Sequence, residues 1–254
     1  MKTKTNFIKI VLSALVIAFV FTSCDKDDDE NTGDEQQVQN DLIKQVKYGS
    51  TVLLDFQYDG DNKLIKRTIS ETSGDITIEY TYDNGKITGE TAKEGNNVIY
   101  QYIYSYSNST GDLIKCDIVG ADAYWQFGYN NGKMTTAIKY IGGGESTKQT
   151  FNYSGDNIIE AKEYYRYGGI WELQESYEYE YDSKNNPFSE LNIPFFEVID
   201  EFVSYTCPHN ISRRQAYDQA GVLPYDETYT YTYNANSYPL TATDNNGNEY
   251  TFIY

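Results

Sequence analysis

The chain of 254 residues holds one histidine, His209, two positions after Cys207. A zinc site takes three or four nitrogen, sulfur or carboxylate ligands. None stands near this pair, so His209 reads as structural. Asp59-Gly60-Asp61-Asn62 begins like a calcium loop. An EF-hand carries glutamate at the twelfth position, and here that position is Ser70, so the segment reads as a turn. Gly142-Gly143-Gly144 lacks the Lys-Ser/Thr that completes a phosphate-binding loop and reads as a hairpin tip. No serine sits in a nucleophile elbow. Carboxylates are plentiful, and two suffice for glycoside hydrolysis. No pair, however, stands apart from turns or from the polar face of a strand. Nothing here asks for a metal or a cofactor.

The segment best suited to hold a ligand is Tyr164-Tyr165-Arg166-Tyr167-Gly168-Gly169-Ile170-Trp171. Adjacent strand residues point to opposite faces, so Tyr164 and Tyr165 cannot both enter one core. Exposed aromatic surface marks binding sites, and flat rings suit sugar faces or peptide segments. Tyr165, Tyr167 and Trp171 are the candidate ligand-binding residues. The alternative is a covered hairpin end.

These residues are positioned by a repeat. A tyrosine followed by a turn recurs at Tyr58, Tyr82, Tyr106, Tyr129, Tyr153, Tyr181 and Tyr233. The first steps are 24, 24, 23, 24 and 28 residues, the mark of one supersecondary unit copied and stacked. Each unit reads as two strands and a tight turn. Ile76, Ile78, Tyr80 and Tyr82 alternate with Thr77, Glu79 and Thr81, the period of a strand with one buried face. Asn84-Gly85 and Asn131-Gly132 suit two-residue type I′ loops. Folding on those turns sets Tyr82 opposite Ile87, Tyr80 opposite Gly89 and Glu79 opposite Glu90. In the second hairpin it sets Tyr129 opposite Met134, Phe127 opposite Thr136 and Trp125 opposite Ile138.

The pattern stops between Asn185 and Ser204. Phe195, Val198, Ile199 and Phe202 follow helical spacing, and Pro194 suits a first helical position. The spacing predicts a short helix near 194–204, plugging the end of the sheet's core or forming a lid over a pocket. Cys116 and Cys207 read as two separate buried thiols, in a compartment that would permit a disulfide.

The N-terminus reads as a processing signal. Lys2, Lys4 and Lys9 precede the apolar run Ile10–Phe21, which is too short to span a bilayer and fits a secretory signal. Phe21-Thr22-Ser23-Cys24 resembles the lipobox of bacterial lipoproteins, which implies a lipid anchor on Cys24. The acidic run Asp25-Lys26-Asp27-Asp28-Asp29-Glu30 resembles the surface-export signal of Bacteroidetes-type lipoproteins. The expected domains are a signal peptide (1–23), an acidic tether (24–42) and a β-repeat domain (43–254). Removing residues 1–23, with three lysines and no acids, takes the formal charge from −18 to −21. That sign argues against nucleic acid as a partner, since such binding needs clustered Lys and Arg. No membrane-spanning segment is expected in the mature chain.

Asp83-Asn84-Gly85-Lys86-Ile87 and Asp244-Asn245-Asn246-Gly247-Asn248-Glu249-Tyr250 resemble YD (Rhs-type) repeats. With the lipoprotein start, residues 52 to 254 resemble a Bacteroidetes family of unknown function with a porin-like fold. The expected architecture is all-β, an antiparallel meander of hairpins curled into a soluble, barrel-like sheet. The expected function is non-enzymatic binding of an extracellular glycan or protein at the outer membrane, facing the exterior. A scaffold role in an outer-membrane complex and a carboxylate-dependent hydrolase are the alternatives.

Overall fold

The structure is a computed structural model and describes residues 42–254. Cys24, the acidic run Asp25–Glu30 and the expected signal peptide lie outside the described residues. Sixteen antiparallel strands run in sequence order and close into a barrel, the first pairing with the last. They are β1 (Gln45–Tyr48), β2 (Thr51–Tyr58), β3 (Leu64–Ile69), β4 (Ile76–Asp83), β5 (Lys86–Glu94) and β6 (Asn97–Tyr106). Next come β7 (Leu113–Ile118), β8 (Ala123–Asn130), β9 (Lys133–Ile141), β10 (Gly144–Ser154) and β11 (Asn157–Tyr167). The set ends with β12 (Ile170–Asn185), β13 (His209–Asp218), β14 (Tyr225–Tyr233), β15 (Pro239–Asp244) and β16 (Glu249–Ile253). A 3-10 turn (Ser189–Leu191) and one α-helix, α1 (Ile199–Thr206), lie between β12 and β13.

The repeating tyrosine is a clasp between neighbouring hairpins. The Tyr82 hydroxyl donates to the Leu64 carbonyl (2.8 Å), Tyr106 to Ile87 (2.6 Å) and Tyr153 to Met134 (2.8 Å). Tyr58, Tyr181, Tyr231 and Tyr254 reach the carbonyls of Ile43, Ile158, Ile211 and Pro239 in the same way. Ile43, Leu64, Ile87, Met134 and Ile158 are themselves buried. One tyrosine thus covers an apolar layer at this end of the barrel and satisfies a carbonyl beside it.

The type I′ turns form as expected, with positive φ at Asn84, Gly85, Asn131 and Gly132. Tyr82 faces Ile87 and Tyr129 faces Met134. The pairs further along differ from the simple hairpin. Thr81, not Tyr80, lies opposite Gly89; Phe127 faces Ala137 and Trp125 faces Lys139. A register shift sits beside the clasp tyrosine in each of these hairpins. The extra residue, Thr88 or Thr135, makes a bulge and turns every later side chain to the other face. Gly89 leaves room for Thr81, whose Oγ1 would lie 2.9 Å from a Cβ there, and no ring covers it. The expected contact between Glu79 and Glu90 is absent for the same reason. Glu79 faces Thr91, and Glu90 turns inward opposite Tyr80 and is buried. The same shift recurs at Tyr58, Tyr106, Tyr153 and Tyr233, where the bulge residues Ile65, Ile114, Ile159 and Leu240 stand exposed.

The segment between β12 and β13 plugs the lumen. Leu191, Ile193, Phe195, Phe196, Ile199, Phe202, Val203 and Tyr205 are all buried. Phe195 packs against Trp125 and Phe127, and Phe202 against Phe151. The helix starts at Ile199, five residues later than Pro194 suggests, because the preceding residues are held by the wall. The Glu197 carboxylate accepts from Trp125 Nε1 (3.0 Å), Tyr102 OH (3.0 Å) and Lys139 Nζ. Its carbonyl accepts from Gln149 Nε2 (2.7 Å). Asn186 ties the plug's ends together, donating to the carbonyls of Ser204 and Cys207. Cys116 and Cys207 are separate, buried and free. Burial pushes both thiols up.

The outward face of the wall carries ion pairs. Lys93 pairs with Glu79, Lys115 with Asp117, Lys162 with Glu160, and Arg213 with Glu180 and Asp226. The strands also expose Ile65, Ile103, Ile114, Ile141 and Ile159. Among the described residues no helix is long and apolar enough to cross a membrane.

Candidate functional site

The plug occupies the end where the tyrosine clasps lie. The opposite end is ringed by the tips after β1, β3, β5, β7, β9, β11, β13 and β15. Lumen-facing positions follow from contacts with the plug. Gln149 bonds the plug carbonyl and Phe151 packs on Phe202, so this face of β10 is interior. Phe151 pairs with Ala161, Gln149 with Glu163 and Thr147 with Tyr165. Ala161, Glu163 and Tyr165 therefore face the lumen on β11, and Tyr177 and Glu175 face it on β12.

The three aromatic candidates separate on this basis. Tyr165 and Tyr167 lie on the lumen face, 38% and 53% exposed, near the end opposite the plug. Trp171 pairs with Arg166 on the outer face. There Lys148 lies 4.9 Å and the Arg166 guanidinium 5.3 Å from its ring centroid. Lys148 also sits over Tyr164, at 4.4 Å. Trp171 and Tyr164 thus belong to a cation–aromatic cluster on the wall, and the structure does not bring Trp171 to the other two.

What joins Tyr165 in the lumen is a row of acceptors. Gln149, Glu163 and Glu175 are direct cross-strand partners on β10, β11 and β12. Gln149 Nε2 donates to Glu163 Oε1 (3.2 Å), and the Tyr177 hydroxyl donates to Glu175 Oε2 (2.5 Å). Burial, then the Glu163 carboxylate, pushes the Tyr165 phenol up to about 12, so it remains a proton donor. Deeper in, Asp200 of the plug accepts from Tyr179 (2.7 Å) and from Arg214 (2.7 Å), and Arg214 also holds Glu227 (2.5 Å). Burial raises Asp200.

A second inward cluster surrounds Arg67, which lies 5.0 Å and 5.2 Å from the ring centroids of Phe196 and Tyr205. Glu90 is buried beside it, and burial pushes its carboxyl up to about 7 against the pull of Arg67. His209 Nδ1 lies 3.0 Å from Asn157 Nδ2. Asp59 accepts from the amides of Asp61 and Lys63, a turn as expected. Among the described residues no group of three or more His, Cys, Asp or Glu could hold a metal ion.

The sequence reading placed no carboxylate pair outside turns and wet faces; Glu163 and Glu175 overturn that. Their signal was available. Glu175 has the same parity as Tyr177 and Tyr179, the tyrosine face of its strand.

No protein-family model matches the chain, and no curated protein matches it. Among the solved structures similar to it are two porin-like proteins. One is a porin-like protein from Bacteroides vulgatus, 12% identical, with a TM-score of 0.43; the match covers 84% of this chain and 98% of that one. The other is a porin-like protein from Bacteroides uniformis, 12% identical, with a TM-score of 0.47, covering 79% and 89%. Likenesses at this level carry no functional assignment.

Proposed function

We propose that this chain is a non-enzymatic, lipid-anchored protein of the outer membrane, facing the exterior, which binds a glycan or protein ligand through the open mouth of its barrel. The observation that carries the reading is the lumen wall. Tyr165 and Tyr167 stand half-exposed at the mouth above Glu163 and Glu175, while the plug fills the other end. A concave site lined by aromatic rings, with a few convergent polar groups, is the form small-ligand sites take. The lipobox-like Cys24 and the acidic run after it support the anchor and the export. The ion pairs of the outer wall support a body held by lipid and not by its strands. The chain enters β1 at the plugged end, where the Ile43 carbonyl takes the Tyr58 hydroxyl, so the mouth lies at the far end of the barrel.

The test is binding of the full chain to a panel of extracellular glycans and proteins. Tyr165→Ala and Tyr167→Ala should abolish the interaction found, while Trp171→Ala should leave it. Equal binding by all three variants would sink the assignment of the mouth. The paired Glu163 and Glu175 favour one second reading, a carboxylate-dependent hydrolase. Turnover of any polysaccharide on the panel, lost in Glu163→Gln, would replace the binding reading with that one.

A further inference from the structure

The two ends of the barrel differ in chemistry. The hairpin ends beside the plug are polar, as in Asp59-Gly60-Asp61-Asn62-Lys63, Asn84-Gly85-Lys86 and Asn131-Gly132-Lys133. At the opposite end, five successive hairpin ends each carry an exposed aliphatic side chain. These are Val98 (β5–β6), Val119 (β7–β8), Ile141 (β9–β10), Ile170 (β11–β12) and Val222 (β13–β14). Ile170 is 68% exposed, and Val98 and Val222 are 59% exposed; the bulge residues near the plug reach only 44%. Turn geometry does not ask for these side chains. Gly95, Gly120, Gly142, Gly168 and Gly221 supply the positive φ, and the plugged end turns as tightly on Asn-Gly alone. Exposed apolar residues gathered on neighbouring elements mark an interaction surface. A carboxylate accompanies each of them. Glu94, Asp122, Glu145, Glu172 and Asp218 lie on the same five ends, and residues 94–99, 118–123, 141–146, 167–172 and 218–226 hold no lysine or arginine. Arg166 holds Glu145, and Asp218 caps its own turn. Glu94, Asp122 and Glu172 stand exposed.

Resting on the reading that a ligand is taken at this end, we propose that the arc docks a polypeptide segment that is both apolar and basic. Its apolar side chains meet Val98, Val119, Ile141, Ile170 and Val222, and its lysines and arginines meet the carboxylates set among them. Opposite charge also speeds and orients the encounter. Other occupants fit less well. A second copy would set carboxylates against carboxylates. A lipid surface would set them against anionic headgroups. A glycan gains little from branched aliphatic side chains, which present no flat ring to a sugar face. Residues 25–41 of the chain itself are strongly acidic and share the sign of the arc. Between glycan and protein, the arc therefore selects protein.

The experiment is fluorescence anisotropy with the full chain, carrying Cys24→Ala so that no acyl chain is attached. The probe is a labelled amphipathic peptide of leucine and lysine. Its serine–lysine and leucine–glutamate counterparts are the controls. The leucine–lysine peptide should bind, and both controls should be weaker by about tenfold or more. The rim variant Val98→Ser/Ile170→Ser/Val222→Ser, with its thermal midpoint checked, should weaken binding by about tenfold or more. Ile65→Ser/Ile114→Ser/Ile159→Ser, near the plug, should leave it unchanged. Glu94→Gln/Glu172→Gln should lower affinity at low salt and flatten its salt dependence. Equal binding of the leucine–lysine and serine–lysine peptides, or unchanged binding by the rim variant, would overturn the inference. So would rim-dependent sedimentation with phosphatidylglycerol vesicles, or a rim-dependent dimer, without peptide binding; the arc would then be a lipid surface or a self-contact. If no peptide binds but Tyr165→Ala loses a panel glycan, the mouth remains the site and the apolar arc falls. If neither a peptide nor any panel member binds, both fall.

Discussion

Glu163 lies directly opposite Glu175 on adjacent strands, with both side chains on the lumen face. Like charges in that position oppose each other and weaken the sheet. The Tyr177 hydroxyl donates to Glu175 and the Gln149 amide donates to Glu163. Glu175→Gln should therefore stabilise the barrel, by about 0.5 kcal/mol, while impairing whatever the lumen binds. Such a trade of stability against function is common at binding sites. Chemical denaturation of wild type and variant measures it. A destabilised Glu175→Gln would show that the pair serves the fold.

Glu90 makes stability depend on pH. Burial raises its carboxyl to about 7; Arg67 and the hydroxyls of Tyr104 and Tyr100 pull it down, and Glu201 adds to the rise. A raised native value means the folded chain keeps a proton that the unfolded chain has lost. Glu90's contribution is then fully present below its ordinary value of 4.5 and is lost as pH rises through 7. Glu201 and Asp200, also raised by burial, act with the same sign. Other carboxylates, such as Asp226 beside Arg213, are lowered and act the opposite way. The clean measurement is thus the difference between wild type and Glu90→Gln. Relative to the variant, wild type should lose on the order of 3 kcal/mol between about pH 4 and pH 8. Parallel pH profiles would remove Glu90 from the account.

The tyrosine clasps should behave as near-equivalent units. Tyr82→Phe removes a hydroxyl from the Leu64 carbonyl and keeps the ring over the apolar layer. Its cost should be about 1 kcal/mol, and Tyr106→Phe and Tyr153→Phe should match it within a factor of two. Tyr82→Ala also loses the ring and should cost about 3–5 kcal/mol. Urea midpoints at constant slope measure both. If the Phe variants are as stable as wild type, the hydroxyl is incidental and the ring alone explains the repeat.

The repeat made the sheet, its turns and its tyrosine period legible, because strand alternation and Asn-Gly turns are local properties of the chain. The closed circle of strands was less so. Closure is written in the pairing of β1 with β16, between residues some 200 positions apart. The bulges escaped notice because an extra residue such as Thr88 or Thr135 looks like any other strand residue; its effect is a reversed face beyond it. That hid Glu90 inside and made Trp125 a partner of Lys139. The aromatic segment at 164–171 is a regular hairpin end, with Gly168 and Gly169 at its tip. Its division into Tyr165 and Tyr167 inside and Trp171 outside depends on which face β10 turns to the plug, which sequence parity alone does not show. The late start of α1 is likewise a tertiary effect, set by four donors from four strands gathered on Glu197.

Glu197 is the plug's main fastening, and its loss should loosen the plug before the wall. Its carboxylate takes Trp125, Tyr102 and Lys139, and the ion pair with Lys139 is largely buried. Glu197→Gln keeps the shape but removes the carboxylate charge that pairs with the Lys139 ammonium. Stranding one member of a buried pair is strongly destabilising, here by about 2–3 kcal/mol given the remaining amide contacts. Lys139→Met in the same chain removes the ammonium as well and should restore part of that loss, as apolar replacement of a buried pair often does. Trp125 reports locally, since its indole donates to Glu197 and its ring packs on Phe195. Its fluorescence should shift in Glu197→Gln under native conditions, and limited proteolysis should cut first within residues 186–208. If cleavage instead begins in the strands, the plug is held by its buried phenylalanines and not by this carboxylate.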